Sequence, residues 1–132
     1  MANGLSPKSI KYTGIAPIAG VVANSPISEE SALTAGGSLN FRVDLKVSGV
    51  TVVGSITAKL RHKSPGGTYS DLAGANASVT VTAAGYYSLT QSVQRAADQA
   101  NMPVKSMIQV VITTTNAGDE VTVDDVWIQQ EL

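Results

Sequence analysis

From Ser38 to Val47 apolar and polar residues alternate without a break: Leu39, Phe41, Val43, Leu45 and Val47 against Asn40, Arg42, Asp44 and Lys46. Successive side chains of a β-strand point to opposite faces, so this run predicts a strand with one dry face, Phe41 included, and one wet face. Ser48-Gly49 then offers a turn. Thr51 to Lys63 predicts the next strand, with Ile56, Ala58 and Leu60 on one parity and Thr57, Lys59 and Arg61 on the other. Ser64-Pro65-Gly66-Gly67 is a strong turn signal. Short strands are expected at Thr68–Leu72, at Ser78–Thr82 with Val79 and Val81 inward, and at Tyr86–Thr90. Val104–Thr115, rich in Val, Ile and Thr, and Glu120–Gln130 return to β after a single helical candidate. That candidate is Ser92–Asn101, where Val93, Ala96, Ala97 and Ala100 fall at helical spacing and Pro103 ends the run.

The last strand changes phase. Val121 and Val123 are odd, whereas Val126 and Ile128 are even, so the parity slips at Asp124-Asp125. A slip of this kind marks a bulge or a change in which face is covered. Together the pattern predicts an all-β fold: an antiparallel β-sandwich, jelly-roll or Ig-like, of about eight strands with at most one short helix.

Residues 1–26 follow no clean period. Pro7, Pro17, Pro26, Gly4, Gly14 and Gly20 punctuate them, and Lys8–Thr13 has the makings of a short strand. Yet Ile10, Ile15, Ile18, Val21 and Val22 make the segment too apolar for a free tail. It reads as an extended arm, packed on its own domain or on a neighbour, ahead of a sandwich domain at 27–132. An ordinary first strand plus a loop is the competing reading. Pro17 and Gly20 interrupt the apolar patch, which is short for the core of a signal peptide, so none is expected.

Composition narrows the function classes. At 132 residues, one domain can hold a core without staples. The absence of cysteine excludes disulfides and thiolate chemistry. Nine Lys and Arg against ten Asp and Glu argue against nucleic acid or an anionic membrane as partner. Only 14% of residues are charged, where about a quarter is usual, and a surface poor in Lys and Glu suits an interface core as well as a Ser/Thr-rich β surface.

No constellation for catalysis appears. His62 stands alone, with no second His or Cys to make a metal or catalytic pair, and reads as a structural residue near the turn. Asp119, Glu120, Asp124 and Asp125 form one acidic cluster. A strand puts Asp124 and Asp125 on opposite faces, and calcium wants six to eight converging oxygens, so a solvated edge is the simpler reading. Neither a cofactor nor a metal is expected. Tyr86 and Tyr87 are neighbours in a strand, so one points in and the other out. Trp127 shares the parity of Asp125 and Gln129, which aims it outward or into an interface, although its size draws it toward burial.

Three stretches carry a resemblance: Ile56-Thr-Ala-Lys-Leu-Arg-His-Lys-Ser-Pro-Gly-Gly-Thr-Tyr-Ser-Asp-Leu72, Ala84-Gly-Tyr-Tyr-Ser-Leu89, and Thr113-Thr-Thr-Asn-Ala-Gly-Asp-Glu-Val-Thr-Val123. Their order resembles small β-sandwich virion proteins of tailed bacteriophages, over roughly Leu39 to Ile128. The chain departs from that pattern at Tyr69, where a Trp is commoner, and at Ser64–Gly67, which replaces an acidic turn. The resemblance implies a structural role, as a head decoration or cement protein, and brings no catalytic residue.

The expectation is therefore a non-enzymatic protein of the virion, made in the host cytoplasm and seated on the capsid surface. Its partners would be the major capsid protein and copies of itself, with a trimer as one symmetric arrangement. The expected contact residues are Ile15, Pro17, Ile18, Val21 and Val22, together with Trp127. Two other readings stay open: a carbohydrate- or receptor-binding module using Trp127, Tyr69 or Tyr86, and a tail or neck component.

Overall fold

The computed structural model describes residues 8–29, 31–32, 38–63, 66–72, 76–94 and 107–131. Eleven strands lie among them: β1 Lys8–Thr13, β2 Ile18–Ala19, β3 Ser25–Pro26, β4 Ser31–Ala32, β5 Ser38–Thr51, β6 Ile56–Lys63, β7 Ser70–Asp71, β8 Ser78–Thr80, β9 Gly85–Gln94, β10 Met107–Thr114 and β11 Glu120–Glu131. They form two antiparallel sheets. One runs β1-β11-β5-β9, with β2 continuing the β1 edge along β11. The other runs β3-β10-β6-β7, with β4 also on β10 and β8 also on β6.

Merging the short strands that share one neighbour leaves eight positions, four in each sheet. The first and last strands are then adjacent, and successive strands alternate between the sheets except at β6 and the β7/β8 position, which are neighbours in one sheet. That is the wrapped double Greek key of a jelly roll rather than an Ig arrangement. The core lies between the sheets. Val43, Leu45 and Val47 of β5, Leu89 of β9 and Val126 and Ile128 of β11 meet Ile56, Ala58 and Leu60 of β6 and Ile108, Val110 and Ile112 of β10. Burial along β6 alternates strictly, as its sequence parity predicts. His62 takes the inward parity, is buried, and lies opposite Ile108.

Several boundaries differ from the sequence expectation. Ser48-Gly49 is not a turn, because β5 continues through it to Thr51. The pairing of β5 with β11 shifts twice, between Thr122 and Val123 and between Val123 and Asp125. Ser48 and Asp124 are the two residues left without a register partner, and the Ser48 hydroxyl donates to Asp124 Oδ1 at 2.8 Å. The expected phase slip at Asp124-Asp125 is thus a bulge, answered by a second bulge on β5 that restores the pairing. Thr51–Lys63 is not one strand: the chain turns at 52–55, and only Ile56–Lys63 pairs with β10. Ser92 to Gln94 extend β9 instead of starting a helix, and the rest of the expected helix lies outside the described residues, as does the Phe41 side chain.

Residues 8–26 are woven into both sheets. β1 lies along β11 over its whole length, and β2 continues beside Val121. The chain then crosses to the other sheet, where Ser25 and Pro26 pair with Ile112 and Val111. Side chains replace strand pairing where the crossing leaves gaps. Thr114 Oγ1 accepts from the Val22 N–H at 2.8 Å and donates to the Gly20 carbonyl. Thr113 Oγ1 accepts from the Asn24 N–H at 3.2 Å. Beyond β3, the Ser28 hydroxyl accepts from the Val110 N–H at 2.9 Å, while the Ile27 N–H donates to the Val110 carbonyl. Buried backbone groups need partners, and this ribbon supplies them along the open side of the sandwich.

Candidate functional site

Two surfaces stand out, and the first is a tip. Three connections meet at one end of the sandwich: the segment after β2, the turn between β5 and β6, and the turn between β10 and β11. Asp119 ties them together. Its Oδ1 accepts from the N–H groups of Val53 and Gly54 at 2.7 and 2.8 Å. Its Oδ2 accepts from those of Asn116 and Thr115 at 2.9 and 3.1 Å. Its carbonyl accepts from the Gly20 N–H at 2.9 Å. Burial by itself raises the Asp119 pKa, but the hydrogen bonds from Gly54, Val53, Asn116 and Thr115 outweigh it and hold the carboxyl below the ordinary aspartate value. The turns approach closely at two glycines, where an added side chain would force a neighbour to shift. A Cβ on Gly54 would stand 2.4 Å from Thr115 Oγ1, and one on Gly118 would stand 2.8 Å from Val53 Cγ2.

This frame presents apolar side chains to solvent. Val21 is 66% exposed, Val53 61% and Val52 39%. Val53 is held directly by Asp119, and Val21 follows Gly20, which is also held by it. Among the described residues, these are three of the five large exposed hydrophobics. The other two, Tyr86 and Trp127, lie on the second surface.

That second surface is the outer face of the β1-β11-β5-β9 sheet. Pairing lines up three rows across the four strands: Ser9, Gln129, Arg42 and Thr90; Lys11, Trp127, Asp44 and Ser88; Thr13, Asp125, Lys46 and Tyr86. The indole N–H of Trp127 donates to Ser9 Oγ at 2.6 Å, and Lys11 Nζ lies 5.6 Å from the ring centroid. Lys11 also reaches Asp125 at 4.0 Å. Asp44 Oδ1 accepts from Arg42 Nε at 3.1 Å and from the Ser88 hydroxyl at 2.6 Å. Trp127 is 43% exposed and Tyr86 77%. Tyr87 turns inward, and its hydroxyl donates to the Ala83 carbonyl at 2.7 Å.

The expected contact residues separate. Ile18 is committed to the core of its own chain, so it offers no surface. Ile15 and Val22 are half-buried against that core, whereas Pro17 and Val21 are exposed. Trp127 follows its parity outward rather than its size inward. Tyr69 is half-buried, with Lys63 Nζ 5.0 Å from its ring centroid. The acidic cluster does not converge: Asp119 binds backbone amides, Asp124 takes the Ser48 hydroxyl, and Asp125 faces Lys11. Among the described residues, no group of three or more His, Cys, Asp or Glu is placed to hold a metal ion. Sequence reasoning missed Val52 and Val53 because Thr51–Lys63 read as one strand. The break in alternation at Val52-Val53-Gly54 is the signal that marks the turn.

No family model and no curated protein match the chain. Among solved structures it is similar to VP2 of infectious bursal disease virus in a subviral particle, with a TM-score of 0.57 and 14% identity over 94% of this chain and 32% of that one. The Gx strain of that virus gives a TM-score of 0.51 and 15% identity, over 95% and 33%. A Bacillus endospore-appendage pilus protein gives 0.44 and 17%, over 100% and 95%. The chain spans about a third of the length of the two viral proteins, and at these identities the likeness is one of fold.

Proposed function

We propose that this chain is a non-enzymatic structural protein of a phage virion, a decoration or cement protein that docks its valine tip on the head shell and stabilises it. The observation that carries the reading is the tip itself. Val21, Val52 and Val53 are exposed on a frame held rigid by the five hydrogen bonds that Asp119 accepts. Exposed apolar groups on a preorganised support gain from burial against a partner and lose little order on binding. The jelly-roll wrap supports the reading at the level of architecture, since capsid proteins use it widely, although a fold alone does not assign a function. The bacteriophage assignment comes from the turn motifs around Ser64–Leu72, Ala84–Leu89 and Thr113–Val123. Copies of the chain would sit on symmetric shell sites, which favours a symmetric homo-oligomer.

The test is immunogold labelling of intact virions, with sedimentation of the purified chain with shells that lack it. Label on heads is expected, with co-sedimentation weakened about tenfold or more by Val53→Asp, a change that desolvation opposes at a buried contact. Label on tails would move the chain to the tail or neck reading. Shell binding unaffected by Val21→Asp and Val53→Asp would remove the tip from the interface.

A further inference from the structure

We propose that the outer face of the β1-β11-β5-β9 sheet is a binding site for a neutral oligosaccharide, with Trp127 and Tyr86 as its two stacking platforms. The site is a different surface from the tip and does not rest on shell docking. Both rings stand out from one face, 43% and 77% exposed. Trp127 is already fixed before any ligand arrives, by its bond to Ser9 Oγ and by Lys11 over one face of the ring. A ring held in place costs little order on binding, and its π face suits the C–H face of a sugar ring.

The charges select the ligand class. Lys11 faces Asp125 at 4.0 Å and Arg42 faces Asp44 at 3.1 Å, so the face carries no field of one sign to hold a polyanion or a metal ion. Among the described outward positions of these four strands there is no aliphatic side chain. Hydroxyls, amides and charges of both signs fill the space around the rings, with Lys46 between Asp125 and Tyr86. A protein interface core is apolar and poor in charge, whereas this mixture of donors and acceptors beside two rings matches a hydroxyl-rich ligand.

The register sets the ligand length. Trp127 pairs with Asp44, and Tyr86 pairs with Lys46, two strands across and one row along from Trp127. Strand spacing and rise place the two positions about 12 Å apart. One sugar ring cannot cover both, and an oligosaccharide can.

The chain has one tryptophan, so its emission reports this face alone. The full chain is titrated with malto-, cello- and manno-oligosaccharides, as disaccharides and hexasaccharides, with heparin hexasaccharide as the anionic comparison. The expected result is a saturable emission change with a neutral hexasaccharide, weaker by about tenfold or more for its disaccharide and for Tyr86→Ala. That variant keeps the reporter and alters only an exposed ring, and circular dichroism confirms its fold. The proposal is overturned by silence toward every neutral hexasaccharide or by a response to heparin alone. Equal binding of disaccharide and hexasaccharide, or an unchanged response in Tyr86→Ala, overturns it too.

Discussion

Ser28→Ala tests how the N-terminal ribbon is held. Between β3 and β4 the chain leaves the edge of β10, and the Val110 N–H there has only the Ser28 hydroxyl as partner. Val110 is completely buried and Ser28 nearly so. Alanine leaves a buried donor unsatisfied, which costs about 1–3 kcal/mol, more than the net worth of an ordinary hydrogen bond. For a chain of this size, a loss of about 2 kcal/mol lowers Tm by roughly 6–10 °C. Urea unfolding measures the free energy, and amide hydrogen exchange at Val110 reports the bond itself. Exchange at Val110 should accelerate, whereas Ser78→Ala on the exposed β8 should shift stability by no more than about 0.5 kcal/mol. An unchanged midpoint together with unchanged protection at Val110 would refute the reasoning, because the hydroxyl would then not be the acceptor that closes this side of the sandwich.

Two further outcomes concern the tip. Asp119 has a lowered pKa when folded, so its contribution is present above the unfolded value and is lost as pH falls through the folded one. Asp119→Asn should therefore be less stable at neutral pH and show a flatter acid limb in Tm against pH; parallel curves would refute this. Gly54→Ala drives a Cβ into Thr115 and Asn116, and should cost about 1–3 kcal/mol while releasing Val53 from its amide bond to Asp119. Nuclear magnetic resonance shifts confined to 52–55 and 115–119, with lowered stability, are expected, and a neutral effect would contradict the packing.

The alternation in β5 and β6, with the turn signals between the other β-rich segments, was enough to predict two antiparallel layers, because period 2 is a property of each strand alone. The parity slip at Asp124-Asp125 was legible for the same reason, as was the opposite facing of Tyr86 and Tyr87, although which of them points out was not. Which strands become neighbours is a different kind of fact. Pairing of β1 with β11 joins residues more than a hundred positions apart, and nothing in either segment names the other. The second bulge at Ser48 was hidden because Ser48-Gly49 has ordinary turn composition, and only the partner strand shows that pairing resumes beyond it.

The candidate surfaces divide in the same way. Sequence alone determined the composition of the polar face: Arg42, Asp44 and Lys46 had to share a side once β5 was a strand. Tertiary structure decided that Trp127 and Tyr86 join them, since that depends on register across three strands. It also decided the roles of Ile18 and Val21, three residues apart and equally apolar. One is drawn into the core beside β11, and the other is left outside where the ribbon crosses between sheets. Asp119 makes the contrast plainest. Its place in an acidic cluster read as a solvated edge, but the carboxylate is buried and satisfied by backbone amides that converge only after two distant turns have packed together. Local periodicity is written in neighbouring residues, whereas burial and pairing are settled by the free energy of the whole fold.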